Sequence, residues 1–231
     1  MSVIGLIGAM DEEVAVIKKW MTDIQETSVA GCEFYSGQLD GKDVVLLKSG
    51  IGKVNAAVST TLLMASFDPS IVINIGSAGG FDAELEVGDV IISDEVVHHD
   101  VDVTAFGYAL GQLPSMPATY SADSALVDKA LQAVASVGQA KAKVGLIGTG
   151  DVFMCEAERV AKVRAAFPSL KAVEMEAAAV AQVCHKFSVP FVVVRSLSDV
   201  ADKESPASFD EYLTVAAQNS SLMIRAMLRE M

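Results

Sequence analysis

A chain of 231 residues, 52% of them apolar, can bury a sizeable core in one large domain or two small ones. Its net charge of −13 and the lack of any Lys/Arg run exclude nucleic acid and an anionic membrane surface as partners, because affinity for a polyanion rests on basic side chains. No apolar run approaches the ~18 residues of a spanning helix.

Val3 to Gly8 reads as a buried strand. It lacks the basic n-region of a signal peptide and runs at once towards Asp11-Glu12-Glu13, so a cytoplasmic protein is expected. A turn at Gly8-Ala9-Met10 leads into a helix over 11–21. The acidic triplet falls in its first turn, where the helix dipole favours negative charge. The lesser alternative is that one of the three points into a cleft at the end of the strand. Cys32 to Leu39 and Val44 to Lys48 pair as a hairpin through Asp40-Gly41. Ser49-Gly50-Ile51-Gly52-Lys53 then turns into a helix over 54–65. It does not satisfy G-x-x-x-x-G-K-S/T, so its glycines are read as allowing a tight strand-to-helix turn.

A strand over 71–75 ends in Gly76-Ser77-Ala78-Gly79-Gly80, small residues that let a ligand approach the backbone. No G-x-G-x-x-G follows a strand, so a dinucleotide site is not expected. A longer strand spans 88–98. Residues 100–117, with Phe106 and Tyr108, form a long loop of the kind that is often functional. A helix over 121–137, a strand over 142–149 ending in Gly150-Asp151-Val152-Phe153-Met154, and a helix over 156–167 stopped by Pro168 follow. Next come a short strand ending in Glu174-Met175-Glu176, an alanine-rich helix that stops before Pro190, and an unbroken apolar strand, Phe191 to Val194. A polar loop over 199–207 and a final helix over 209–229, capped by Ser208, complete the chain. Cys32, Cys155 and Cys184 form no C-x-x-C pair and are expected to be buried free thiols. The three histidines lack metal spacing, and adjacent His98 and His99 face opposite sides of a strand.

Strands alternating with helices throughout define one α/β domain, residues 1–231. In such a sheet ligands bind at the carboxyl ends of the strands. Four strand ends carry Glu12 or Glu13, Ser77, Glu174 to Glu176, and Asp199. Three carboxylates round one pocket suit acid–base work on a polar, uncharged substrate. Two carboxyl groups flanking a scissile bond are how water cleaves glycosides.

Six segments together resemble the 5′-methylthioadenosine/S-adenosylhomocysteine nucleosidases: Gly8 to Val14, Ser49 to Val54, Gly76 to Gly79, Asp102 to Tyr108, Val173 to Ala177 and Ser198-Asp199. The resemblance runs the length of the chain. It implies a nucleoside phosphorylase/hydrolase fold: a single-domain three-layer α/β/α arrangement round a central mixed twisted sheet. It also implies a homodimer with no cofactor and no metal. The substrates implied are 5′-methylthioadenosine, S-adenosylhomocysteine and 5′-deoxyadenosine, in methionine salvage and detoxification of methyl-cycle products. Asp199 resembles the acid that protonates adenine N7, and Glu13 the base that activates water. Met175 and Glu176 resemble ribose contacts. Phe153 resembles the purine-stacking residue, and the Met154 backbone the reader of the adenine edge. Ser77 and Arg195 resemble residues of the ribose and water side, and Phe209 part of the 5′ pocket. Val103, Phe106 and Pro114 resemble residues that a neighbouring subunit lends to that pocket, so the 103–117 loop is expected to complete the partner's site.

Two rivals remain at this level. A phosphorylase on the same fold would need arginines near Gly8 and before Ser77, where this chain has Ala9-Met10 and Asn74-Ile75. A non-catalytic nucleoside-binding protein would tolerate loss of Glu13 or Asp199, and both are present. Hydrolysis of an adenine nucleoside with a bulkier 5′ group, such as 6-amino-6-deoxyfutalosine, is compatible as an added activity.

Overall fold

The computed structural model describes residues 2–138, 140–200 and 205–231, the side chains of 200 and 205–210 excepted. In chain order the elements are β1 (Ile4–Gly8), α1 (Asp11–Trp20), β2 (Thr22–Val29), β3 (Cys32–Leu39), β4 (Lys42–Lys48), α2 (Lys53–Phe67), β5 (Ile71–Gly80) and β6 (Val90–His98). A single 3-10 turn (Thr104–Phe106) precedes β7 (Tyr120–Ser121), α3 (Ser124–Val137), β8 (Ala142–Thr149), α4 (Ala157–Ala166), β9 (Leu170–Glu174), α5 (Ala177–Phe187), β10 (Phe191–Val200) and α6 (Ser205–Arg229).

The strands form one mixed sheet that partly closes on itself. β5 pairs in parallel with β1 and β10, β10 turns antiparallel onto β6, β6 and β8 run parallel, as do β8 and β9, and β9 returns antiparallel to β5. On the other side β1 pairs with β4, and β3 and β2 follow antiparallel out to the edge. The parallel strands are buried on both faces, which is why they read as continuous apolar runs. Successive residues serve opposite layers: Leu6 and Ile73 pack with α1, α3 and α6, whereas Ile7 and Val72 pack with α2 and α5. This is the expected three-layer α/β/α order with a central mixed sheet.

Several expectations need correction. β5 and β10 run on past their apolar stretches to Gly80 and Val200, because the two strands keep pairing through Arg195↔Gly76 and Ser196↔Ser77. Small residues at 76–80 are therefore part of a strand. β2 has no counterpart in the sequence reading. Its residues are mostly exposed and polar, and it exists through its ladder with β3 across the turn Ala30-Gly31, both at positive φ. α3 begins three residues late, capped by Asp123, whose side chain accepts from the Leu126 amide at 3.0 Å. α6 begins at Ser205, with Pro206 in its first turn where the missing N–H costs nothing, so Ser208 lies inside the helix and is not its cap. Cys155 is exposed, and only Cys32 and Cys184 are buried. Among the described residues no helix is long and apolar enough to cross a membrane, and no cluster of three His, Cys, Asp or Glu is placed to hold a metal ion.

Candidate active site

The strand ends converge on a cavity of about 210 Å³. It is bounded by the turns after β1 and β4, the outer half of β5, the loop after β8, the β9–α5 junction and the end of β10. Its wall includes Glu13, Ser77, Phe153, Met154, Met175, Glu176 and Asp199, seven of the side chains picked out from the sequence.

Glu13 sits at the third position of α1 and is buried, while Asp11 and Glu12 beside it are exposed. Its Oε2 accepts from the Ala9 amide at 2.7 Å and the Met10 amide at 3.2 Å. Its Oε1 accepts from the Ser77 amide at 3.0 Å and the Ser77 hydroxyl at 3.3 Å. A glutamate reaching back to the amides before its own helix is a capping device. Here it also bridges to β5. The triplet's bland role and its functional role thus divide between residues: Asp11 pairs with Lys48 on the surface, and Glu13 faces the cavity.

Behind the cavity lies a buried polar chain. Arg195, 1% exposed, donates through Nη2 to Glu174 at 2.6 Å and to Asn74 at 2.8 Å. Glu174 Oε2 also accepts from the amides of Glu176 (2.9 Å) and Ala177 (2.8 Å), and its Oε1 accepts from the Thr149 hydroxyl. Further hydrogen bonds are what make a buried charge pair tolerable, and here they serve Glu174 and one arginine nitrogen. Burial opposes the arginine's charge, but Glu174, Glu176 and Glu13 outweigh it and raise its pKa further. Its Nε and Nη1 have no hydrogen-bond partner among the described residues. A Cβ on Gly76 would lie 2.5 Å from Glu13 Oε1 and 3.0 Å from Arg195 Nη1, and Gly76 has φ +147. Only glycine lets the two groups converge there.

Glu176 is buried at the start of α5. Its Oε1 accepts from the Gly52 amide at 2.8 Å, and its Oε2 is 4.0 Å from Arg195. Burial and the neighbouring Glu174 carboxylate push its pKa well above the usual carboxylate range, against the opposing pull of Arg195 and the Gly52 amide. Across the cavity, Asp199 is 3% exposed, accepts from the Ser198 hydroxyl at 3.0 Å, and faces Gly79, where a Cβ would meet its Oδ2 at 3.2 Å. Glu13 thus caps its own helix and bridges to β5, and Asp199 lies at the end of β10 with the Ser198 hydroxyl and Gly79 among its neighbours.

The predicted residues differ in how they meet the cavity, and among those described four are not in its wall: Arg195, Val103, Phe106 and Pro114. Arg195 stands behind the wall. Met154 is buried in a small core cluster with Phe81, Val97, Val160, Leu170 and Val173. Phe153 is 40% exposed at the cavity rim. Val103, Phe106 and Pro114 do not line the cavity of their own chain, and Phe106 is 81% exposed. Phe209 is on α6, and its side chain falls outside the described residues. Sequence reasoning missed Thr149, the contact of Asn74 with Arg195, and the Gly52 amide as a partner of Glu176. Each works through a contact between residues far apart in the chain, which spacing does not show.

A mixed sheet closing on itself, with carboxylates gathered where its strands end, belongs to a known class: a sequence model described as the Phosphorylase superfamily matches residues 3–229. Within that class the 5′-methylthioadenosine/S-adenosylhomocysteine nucleosidase of Marinomonas sp. (strain MWYL1) is 73% identical over 229 residues, 99% of each chain. That of Tolumonas auensis is 57% identical over 228 residues, 99% of each. Among solved structures, the nucleosidase of Colwellia psychrerythraea in complex with adenine superposes with a TM-score of 0.97 at 53% identity, covering 99% of this chain and 95% of that one. The Neisseria meningitidis nucleosidase in complex with methylthio-immucillin-A gives 0.98 at 46% identity over the full length of both. The chain belongs to the 5′-methylthioadenosine/S-adenosylhomocysteine nucleosidase family.

Proposed function

We propose that this chain, acting as one domain over residues 1–231, hydrolyses the N-glycosidic bond of 5′-methylthioadenosine and S-adenosylhomocysteine, and of 5′-deoxyadenosine, to adenine and the matching ribose. The observation that carries the reading is the Glu13 carboxylate seated on the amides of Ala9, Met10 and Ser77. In a phosphorylase such a cluster of N–H groups would serve an anion. Here it is already occupied by one, so phosphate is repelled and a neutral water is favoured.

The chemistry follows from the carboxyl groups. As the C1′–N9 bond breaks, its electrons pass into the purine and the ribosyl group becomes cationic. Asp199, protonated, gives its proton to N7, because adenine leaves poorly as an anion. Glu13, ionised, takes a proton from water as its oxygen bonds to C1′, and its charge favours the cation meanwhile. Glu176 accepts from the ribose hydroxyls beside Met175. Phe153 stacks on the purine, the Met154 backbone meets the adenine edge, and Ser77 and Arg195 hold the ribose and water side. No cofactor or metal enters this scheme.

The 5′ group is held in an apolar pocket to which Phe209 contributes. Val103, Phe106 and Pro114 of a second copy complete it. Support for a homodimer comes from the apolar face beside the loop: Val54, Val58 and Phe187 are exposed next to a groove of about 500 Å³ also lined by Val101, Leu113 and Val183. The role is cytoplasmic methionine salvage and removal of methyl-cycle products. A second substrate, aminodeoxyfutalosine, is favoured by the likeness to the futalosine hydrolase of Helicobacter pylori, with a TM-score of 0.94 at 35% identity.

The test is adenine release from methylthioadenosine with and without phosphate. Free methylthioribose at a rate indifferent to phosphate is the expected result. Release only with phosphate, as the sugar 1-phosphate, would replace hydrolysis by phosphorolysis.

A further inference from the structure

We infer that Asp151 is a positioning residue for ribose binding: it locks the loop carrying the purine-side residues to the helix terminus that holds Glu176. The inference rests on the reading of Glu176 as the ribose contact.

The link starts at the N-terminus of α2. Gly52 is the residue before its first turn, with φ +94 and no side chain to cap the helix. Its amide donates to Glu176 Oε1 at 2.8 Å. The next amide, that of Lys53, donates to Asp151 Oδ1 at 2.8 Å. Asp151 therefore supplies from 98 residues away the carboxylate that a serine or aspartate normally supplies at the cap itself. Any residue but glycine at 52 would bring a Cβ to 3.1 Å from that same oxygen.

Asp151 is itself held. Its amide donates to Asp100 Oδ2 at 3.0 Å, and Asp100 Oδ1 takes the Lys53 ammonium at 2.6 Å. Lys53 thus engages Asp151 through its backbone and Asp100 through its side chain, and the three residues form a closed ring. Burial alone would raise the Asp100 pKa, but Lys53 and the Asp151 amide outweigh it and keep the group ionised. Val152, Phe153 and Met154 follow Asp151 directly in the cavity wall. The ring thereby ties the Gly50–Gly52 turn, the purine loop and the entry to the 101–117 loop into one unit. Neither Lys53, Asp100 nor Asp151 lines the cavity, so none touches substrate there.

Steady-state kinetics on the full chain, with methylthioadenosine and its 3′-deoxy analogue, test this. Asp151→Ala should raise KM about tenfold, the size of one lost charge-assisted hydrogen bond, while kcat moves by less than about threefold. The preference for the 3′-hydroxyl should shrink in step, and Asp151→Asn, which keeps an acceptor for the Lys53 amide, should recover most of both. In a Glu176→Gln background the same change should add little, since the group being positioned is already impaired. A wild-type KM in Asp151→Ala overturns the inference. So does a rise that is equal for the two nucleosides and undiminished in the Glu176→Gln background. Should a melting curve show Asp151→Ala unfolded, Asp100→Asn loosens the ring and is judged by the same readouts. A wild-type chain that releases no adenine is a failure of the nucleosidase reading instead. Calorimetric binding of the same nucleoside pair then decides the role of Asp151.

Discussion

The two sides of the cavity are built differently. On the carboxylate side Glu13, Glu174, Glu176, Arg195 and Asp199 are all nine-tenths buried or more. Glu13 and Glu174 each engage at least three donors of their own chain. On the outer side, at Ile51 of the wall and on the surface beyond it, the apolar groups are bare: Ile51 is 50% exposed, Val54 74% and Phe106 81%. One copy of the chain thus gathers its buried carboxylates within its own fold and leaves large apolar side chains on its surface without cover. On the first side, substitution of Glu13 or Asp199 should act on kcat, and of Glu176 on KM, in any state of assembly. Those on the second should act on KM, and only where a second copy is present.

The largest effects test the first half of that contrast. Glu13→Gln and Asp199→Asn should each lower kcat by about 10³-fold, the range of a lost general base or acid, with melting temperatures that differ little from wild type. Activity near wild type in either variant would remove that residue from its role. Gly76→Ala comes next. Its new Cβ would lie 2.5 Å from Glu13 and 3.0 Å from Arg195, so one of them must move. A loss of about 10²-fold in kcat is expected for an ångström-scale displacement of a reacting group. A Gly76→Ala enzyme of normal kcat would show that the convergence of these two side chains does not matter for turnover.

Phe106→Ala sharpens the other half. If Phe106 completes a second copy's pocket as proposed, removing its phenyl group should raise KM about tenfold without lowering kcat comparably. On the same proposal, the KM rise should also appear in the wild-type enzyme on dilution to concentrations at which two copies separate. A fully active monomer, seen by sedimentation alongside turnover, would separate the 101–117 loop from catalysis.

Legibility in the sequence follows the same divide. The parallel strands could be placed because burial on both faces leaves an unbroken apolar run, as in Phe191 to Val194. Ser77, Asp199 and the groups Glu12 or Glu13 and Glu174 to Glu176 could be placed because the carboxyl ends of such strands are where ligands sit, and only the family resemblance picked Glu13 and Glu176 from them. What was not legible depends on contacts across the sheet. β2 is polar and exposed, held by pairing and one tight turn. The outer halves of β5 and β10 are strands only because each pairs with the other. Glu174 and Glu176 are two residues apart and both buried, yet one neutralises Arg195 and the other accepts from Gly52. Nothing local distinguishes them, because the difference is made by Asn74, Thr149 and the Gly52 turn.

Glu176 gives the smallest effect and the most direct measure of what the carboxylate side costs. Its pKa is raised in the folded chain, first by burial and then by Glu174. Between the ordinary glutamate value of about 4.3 and the raised one, the folded state holds a proton that the unfolded state has released. Stability must therefore fall as pH rises through that window, since it rises with pH only where the unfolded state binds more protons. Glu176→Gln removes the titration. The melting temperature of the empty wild-type protein should drop relative to the variant on going from pH 5 to pH 8, by about 2–4 °C for each kcal/mol of linkage in a chain of this size. The variant, poorer at binding nucleoside, should be the more stable protein at the upper end. Parallel melting curves for the two across that range would show instead that Glu176 is ionised in the empty cavity, held so by Arg195 and the Gly52 amide. The carboxylate side would then be organised without cost to the fold.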